Sequence, residues 1–256
     1  MTKIILSGCN GKMGNVVVNS AKENSNCEIV YGVDAFGENS FDFPTVKSFS
    51  EIKEKADVII DFSNPALLDD LLAYALEYKV SAVICTTGYS PEQVAKINKA
   101  GESIAVFYSG NMSLGVNLLI ELSKQAAKVL GNDFDIEIIE KHHNLKVDAP
   151  SGTALMIADG ISSELSEEPQ YVYDRHSYRR RRAKNEIGIH AVRGGTIVGE
   201  HDVIFAGHDE VVTLTHQAQS KGLFATGAVN AAVFLKDKPA GLYNMSMMLA
   251  EKLGTV

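Results

Sequence analysis

The chain is poor in three things, each of which would point to a different class of protein. It has only three cysteines in 256 residues, Cys9, Cys27 and Cys85, widely spaced and without a C-x-x-C pair. That usage offers neither a disulfide framework nor a zinc site, and it fits a reducing, cytoplasmic setting. No apolar run approaches the roughly 18–20 residues that span a bilayer. The opening Met1-Thr2-Lys3-Ile4-Ile5-Leu6 reaches Gly8 too soon for a signal peptide and reads as a first strand. Positive charge is also scarce: 24 Lys and Arg stand against 32 Asp and Glu, a net charge of -8. This disfavours nucleic acid as a partner. The one basic block, Arg179 to Arg182, reads as a mobile solvated loop.

What is present begins with glycine. Lys3 to Ser7 is a short apolar run that ends in Gly8-Cys9-Asn10-Gly11-Lys12-Met13-Gly14, after which NVVVNSAKEN has helical length. A strand, a glycine-rich turn and a helix form the context a pyrophosphate needs, because bare N–H groups and a helix N-terminus can then approach it. The pattern is G-x-x-G-x-x-G, with Asn10 where the commoner fingerprint has a glycine. A second strand, Glu28 to Val33, ends in Asp34, 20 residues past Gly14. A carboxylate there can accept both hydroxyl hydrogen bonds of an adenine ribose. Asp34 also repels a 2′-phosphate, so NADH is expected to be accepted, while Lys12 and Lys47 leave NADPH open.

The βα rhythm continues. Val58 to Phe62 reads as a strand, followed by a helix capped by Asn64 with Pro65 at its first position. Ala82 to Cys85 reads as another, followed by a helix with a Ser90/Gln93 capping box, Pro91 at its start and Gly101 as its stop. Ile104 to Tyr108 is the last of the series. The loops Gly8–Gly14, Asp61–Asn64, Cys85–Gly88 and Ser109–Met112 are small and polar, which suits a cofactor lying across the strand ends.

The second half changes character. A helix over Leu114 to Leu130 is closed by Gly131, FDIEIIEKHH alternates like a strand, and a helix is expected near Thr153 to Leu165. Glu186–Val192, Thr196–Phe205 and Val211–Gln217, separated by Gly194-Gly195 and by residues 206–209, read as hairpin-connected antiparallel strands. The tail reads as helical again, with a helix at Ala225 to Leu235. The expected fold is α/β: a Rossmann-type doubly wound parallel sheet over residues 1–113, completed by 224–256. An α+β domain over 114–223 carries an open mixed, largely antiparallel sheet. Helices on one face of that sheet would leave the other free to pair with a copy of itself, and a hinge is expected near Lys221 to Leu223.

The densest stretch is EKHHNLKVDAPSGTA, residues 140–154. Adjacent His142 and His143 on a strand point to opposite faces, a poor arrangement for a metal. Ser151 lacks a G-x-S-x-G elbow and reads as a helix N-cap. The N–H groups of Gly152 and Thr153 then lie at a positive helix end, with His142, His143 and Lys146 a few residues upstream. Such a set can hold a carboxylate, and a lysine and a histidine can move a proton.

This stretch resembles the signature E-x-H-H-x-x-K-x-D-A-P-S-G-T-A of the 4-hydroxy-tetrahydrodipicolinate reductase (dihydrodipicolinate reductase) family. GCNGKMG, DFSNP, CTTG, GNMSLGVN, GGTIVGEHDVIFAG and GLYNM extend the likeness over nearly the whole chain. The resemblance implies an NADH- or NADPH-dependent enzyme of diaminopimelate and lysine biosynthesis, acting on a small dicarboxylate. It implies His142 as acid/base, Lys146 as proton donor, and His143, Gly152 and Thr153 as substrate contacts. For the cofactor it implies Gly8, Cys9, Asn10, Gly11, Lys12, Met13, Asp34, Cys85, Thr86, Thr87, Ser109, Gly110, Asn111 and Met112. No metal is implied, and a homotetramer joined through the open sheets is. Ala35 and Asn64 stand where some members carry arginine, and Cys85 where glycine is common; these positions bear on the choice of cofactor. Two other readings fit parts of the pattern: a dehydrogenase of another amino or keto acid, and a redox sensor that binds the nucleotide without turnover.

Overall fold

A computed structural model describes residues 1–36, 41–53 and 55–254. The chain divides into two compact units, Met1–Ser113 with Gly222–Val256, and Leu114–Lys221.

The first unit is built on β1 (Thr2–Ser7), α1 (Lys12–Lys22), β2 (Cys27–Val33), β3 (Thr45–Val46), β4 (Val58–Asp61), α2 (Leu68–Tyr78), β5 (Ser81–Ile84), α3 (Pro91–Ala100) and β6 (Ala105–Tyr108). The strands form a parallel sheet in the order β3-β2-β1-β4-β5-β6. Ile4 to Leu6, Val58 to Ile60 and Ala82 to Ile84 are all buried, as continuous apolar runs must be when helices cover both faces. α2 and α3 pack on the face carrying Ile5, Ile59, Ile84 and Val106. The helix starts follow the local chemistry. Asn64 caps a short 3-10 turn that leads into α2, and Ser90 and Gln93 cap α3 reciprocally with Pro91 at its start.

In the second unit, α4 (Leu114–Leu130), β7 (Asp135–His142), α5 (Gly152–Ser162), β8 (Gln170–Val172), β9 (Glu186–Arg193), β10 (Gly199–Ala206) and β11 (Val211–Ala218) give a five-stranded sheet, β11-β10-β7-β9-β8. Ile136, Ile138, Ile187, Ile189, Val203 and Phe205 face α4 and α5. Strand alternation sends Glu137, Ile139, His190, Asp202 and Ile204 to the opposite face. The sheet is mixed: β7 and β8 pair parallel with β9, while β10 pairs antiparallel with β7 and β11.

The chain then returns to the first unit as α6 (Gly222–Leu235), β12 (Gly241–Tyr243) and α7 (Met245–Leu253), with α1 and α6 packed together.

Three expectations need correction, and a fourth, the Gly101 stop, holds with a different geometry. β9 and β10 do not form a hairpin, because β7 lies between them. The Gly194-Gly195 turn instead closes over the end of β7: the Gly194 N–H donates to the His142 carbonyl (2.9 Å) and the Asn144 N–H to that of Gly195 (3.2 Å). The tail is not wholly helical, since β12 pairs in parallel with β6. Three residues between a proline-containing turn and a helix cap are too few to show a period. Gly101 ends α3 with an ordinary right-handed φ of -59°; a side chain there would press on Leu242 of β12, 2.7 Å from its first carbon. Finally, the arginine block is only partly solvated. Arg182 is 17% exposed and donates to Asp135, Glu137 and the carbonyls of Ile136, Ala183 and Glu186. Arg180 and Arg175 pair with the buried Glu186, a charge that burial would otherwise make costly.

Candidate active site

The first cluster sits at the carboxyl ends of the parallel strands. Gly8 turns the chain with a φ of +78°, and a methyl group on it would lie 2.5 Å from the Phe62 carbonyl oxygen. A methyl on Gly14 would collide with the Gly8 carbonyl. Two glycines therefore let β1, the loop after β4 and the start of α1 converge. Gly11 precedes α1 and gives it no side-chain cap, so backbone N–H groups of Lys12, Met13 and Gly14 are presented at a positive helix end. Such a terminus fits a pyrophosphate.

Asp34, just past β2, accepts from the Asn10 N–H (2.9 Å) and the Phe36 N–H (3.0 Å), which fixes its carboxylate beside the glycine turn. A cavity of about 430 Å³ opens there, lined by Gly8, Gly11, Asp34, Ala35, Phe36, Lys47, Asn64 and Asp70 among others. Its lining mixes apolar rings with a carboxylate at the rim, as an adenosine requires. Cys85, Thr86 and Thr87 follow β5, and Ser109, Gly110, Asn111 and Met112 follow β6, outside this lining. The second loop is braced internally: the Asn111 side chain accepts from the Ser113 N–H (2.8 Å) and Ser109 donates to the Asn111 carbonyl (3.3 Å). Cys9 is buried, and that burial, with Asp34 adding to it, pushes its thiol up to about 11. Burial, then Asp61, raises Cys85 further from its ordinary value. Both stay protonated at neutral pH, so neither is a ready nucleophile.

The second cluster is built on β7. Glu140 and His142 are two residues apart and share a face, and the Nδ1 of His142 lies 2.6 Å from Glu140 Oε2. Glu140 is fully buried. Arg193, paired with His142 in the β7–β9 register, donates to both of its oxygens at 2.8 and 2.7 Å. Burial would lift this carboxyl, but Arg193, His142 and the Ser151 N–H outweigh it and hold it below the ordinary range. His201, from β10, stacks edge-on against His142 with ring centroids 5.3 Å apart.

Ser151 is the N-cap of α5: its Oγ accepts from the Ala154 N–H (3.1 Å) and lies 3.0 Å from His201 Nε2. Gly152 and Thr153 form the first turn of that helix. Lys146 lies on the loop between β7 and α5, with Nζ 2.8 Å from Asp148; this contact lowers the Asp148 carboxyl from its usual value. His143, one residue past the end of β7, has its Nδ1 buried without a partner among the described residues.

The structure thus brings His142, His143, Lys146, Gly152 and Thr153 to one end of the second sheet. Three members of the cluster escaped sequence reading: Glu140, Arg193 and His201. Glu140 was within reach, since the i, i+2 spacing places it beside His142. The other two come from strands whose pairing no local pattern reveals.

The two family models for dihydrodipicolinate reductase both match, the N-terminal one over residues 2–112 and the C-terminal one over residues 115–249. The 4-hydroxy-tetrahydrodipicolinate reductase of Caldanaerobacter subterraneus subsp. tengcongensis is 55% identical over 96% of this chain and 97% of its own. That of Clostridium tetani is 49% identical over 97% of each. Among solved structures, a dipicolinate-bound dihydrodipicolinate reductase from Paenisporosarcina sp. TG-14 superposes with a TM-score of 0.80 at 24% identity, covering 95% of this chain and 97% of that one. The glycine turn, the carboxylate after β2 and the histidine–lysine cluster before α5 therefore sit in a chain that belongs to the dihydrodipicolinate reductase family.

Proposed function

We propose that this protein reduces 4-hydroxy-tetrahydrodipicolinate to tetrahydrodipicolinate with NADH or NADPH, in the diaminopimelate route to lysine. The observation that carries the reading is the β7–α5 segment. Within it a carboxylate-held histidine, a lysine and a helix N-terminus meet at one end of a sheet. A dicarboxylate ring needs cationic groups and N–H donors, and His143 with the Gly152-Thr153 turn supplies them. The 4-hydroxyl leaves as water with a proton from C3, and NAD(P)H, when bound, would supply the hydride to C4 of the conjugated ring that results. Lys146 donates the proton that completes C3, and His142 serves as the acid/base that assists it. The first unit holds the dinucleotide through Gly8 to Met13, Asp34, Cys85 to Thr87 and Ser109 to Met112. The second binds substrate and joins subunits.

Asp34 and Asp70 set two carboxylates against Lys47 in the lining of the cavity, which favours NADH. Initial rates with substrate made in situ by the preceding synthase test the reading: rapid oxidation of NADH should follow addition of substrate. Asp34→Ala should cut kcat/KM for NADH about tenfold or more, the worth of a charged hydrogen bond, and NADPH much less. NADH binding without substrate-dependent oxidation would sink the assignment.

The sheet face opposite α4 and α5, with half-buried Ile139 and Ile204 among its polar residues, is the proposed contact of a homotetramer in the cytoplasm. Light scattering should return about four chain masses, and Ile204→Asp should shift it to smaller species, since a charge buried in an interface goes unpaired.

A further inference from the structure

We propose that Glu140, clamped by Arg193, is the positioning residue that fixes the tautomer and orientation of His142 and ties that ring to the start of α5. The proposal rests on the function proposed above. A carboxylate accepts hydrogen bonds and donates none. With Oε2 at 2.6 Å from Nδ1, the neutral imidazole must carry its hydrogen on Nδ1 and present a lone pair at Nε2. Nε2 is the nitrogen left for chemistry. It packs against the backbone of β10, where a methyl on Gly199 would lie 3.1 Å from it. Gly199 therefore keeps open the space in which Nε2 sits.

The second oxygen does a different task. Oε1 accepts from the Ser151 N–H at 3.0 Å, and Ser151 is the cap of the helix whose first turn is the proposed carboxylate contact. One side chain thus sets the distance between the acid/base ring and the anion site. Arg193 supports both ends. It donates to each Glu140 oxygen and, through Nη2, to the Asp148 carbonyl at 2.6 Å. A buried ion pair is seldom the most stable filling for its space. Four hydrogen bonds converging on this one, from the ring, the helix cap and the clamp, point to placement as its purpose.

Glu140→Gln keeps the shape and removes the charge. Its single amide oxygen would be claimed by Arg193 and the Ser151 N–H, which turns the NH₂ toward His142 and forces the hydrogen onto Nε2. The expected result is a fall in kcat of about 10²–10⁴-fold, the range for loss of a correctly held acid/base. The Kd for pyridine-2,6-dicarboxylate should change by no more than about threefold, because the helix turn survives. Glu140→Asp should recover part of the lost kcat. Independently, ring-¹⁵N histidine spectra of the wild-type protein at alkaline pH should show the resonances that disappear in His142→Asn in the Nδ1–H state.

A Glu140→Gln variant with kcat within about threefold of wild type would overturn the proposal. So would a wild-type His142 found in the Nε2–H form, a readout that holds even where the variant does not fold. If the wild type reduces no substrate, the functional reading fails, while the tautomer spectrum still decides the role of Glu140.

Discussion

Lys146→Ala should lower kcat by about 10²–10⁴-fold, the span of a positioned proton donor, and leave NADH binding nearly unchanged. The reason is how the loop is built. Residues 142–148 are held by backbone groups: the Lys146 N–H donates to the His143 carbonyl, the Asn144 N–H to Gly195, and Arg193 to the carbonyl of Asp148. None of these uses the lysine side chain. Its ion-pair partner, Asp148, is 58% exposed, and such a pair stabilises by no more than about 1 kcal/mol. Removing the ammonium should therefore subtract chemistry and leave the loop in place. Asp148→Asn is the control, because it breaks the ion pair and spares the ammonium; its effect on kcat should be far smaller. Stopped-flow turnover with NADH titrations by fluorescence decides it. Equal losses of kcat and NADH affinity, or a clear drop in thermal midpoint, would mean that Lys146 shapes the fold and does not deliver the proton.

The contrast between the two units shows what a sequence can reveal. The parallel sheet was readable because each of its main strands is a continuous apolar run, and because Asn64, Ser90, Gln93 and the early prolines mark helix starts by local chemistry alone. Its margins were not. β3 has two residues and β12 three, both too short to show an alternation. In the second unit the strands were found but not their order. Placing β7 between β9 and β10 depends on partners about fifty to seventy residues away, which nothing local encodes. The site divides along the same line. His142, Lys146 and the Ser151 cap lie within one stretch of ten residues, so their meeting was legible. Arg193 and His201 reach the same spot only through register. Arg182 is the instructive error: four consecutive arginines read as a solvated run, yet Asp135 and the half-buried Glu137 on β7 draw Arg182 inward, and the buried Glu186 on β9 pairs with Arg180.

The stability of the fold should itself depend on pH through His201, a residue that no local pattern singles out. Its ring is only 3% exposed. Burial, then repulsion by the neighbouring His142, pushes its pKa down from 6.5 to about 4. Its Nδ1 has no partner among the described residues, so a doubly protonated ring would bury an N–H without an acceptor there. The unfolded chain carries no such penalty and takes up the proton first. Above about pH 6.5 both states are neutral at this site, and the contribution is complete. As the pH falls from there toward 4 the unfolded state binds a proton that the folded state refuses, and stability drops by up to roughly 3 kcal/mol. His216, also lowered by burial, adds in the same direction. The paired acids Glu137, Glu140 and Glu186 give up their contributions at lower pH, beneath the ordinary carboxylate range. Urea unfolding at fixed protein concentration, between neutral pH and the lower end of the histidine window, measures the slope. His201→Gln should be less stable at neutral pH by about 1 kcal/mol, the worth of the Ser151 hydrogen bond, yet markedly flatter across the window. A variant with the wild-type slope would place the titration elsewhere. The same buried ring that keeps a second positive charge away from His142 would then owe its neutrality to something other than burial.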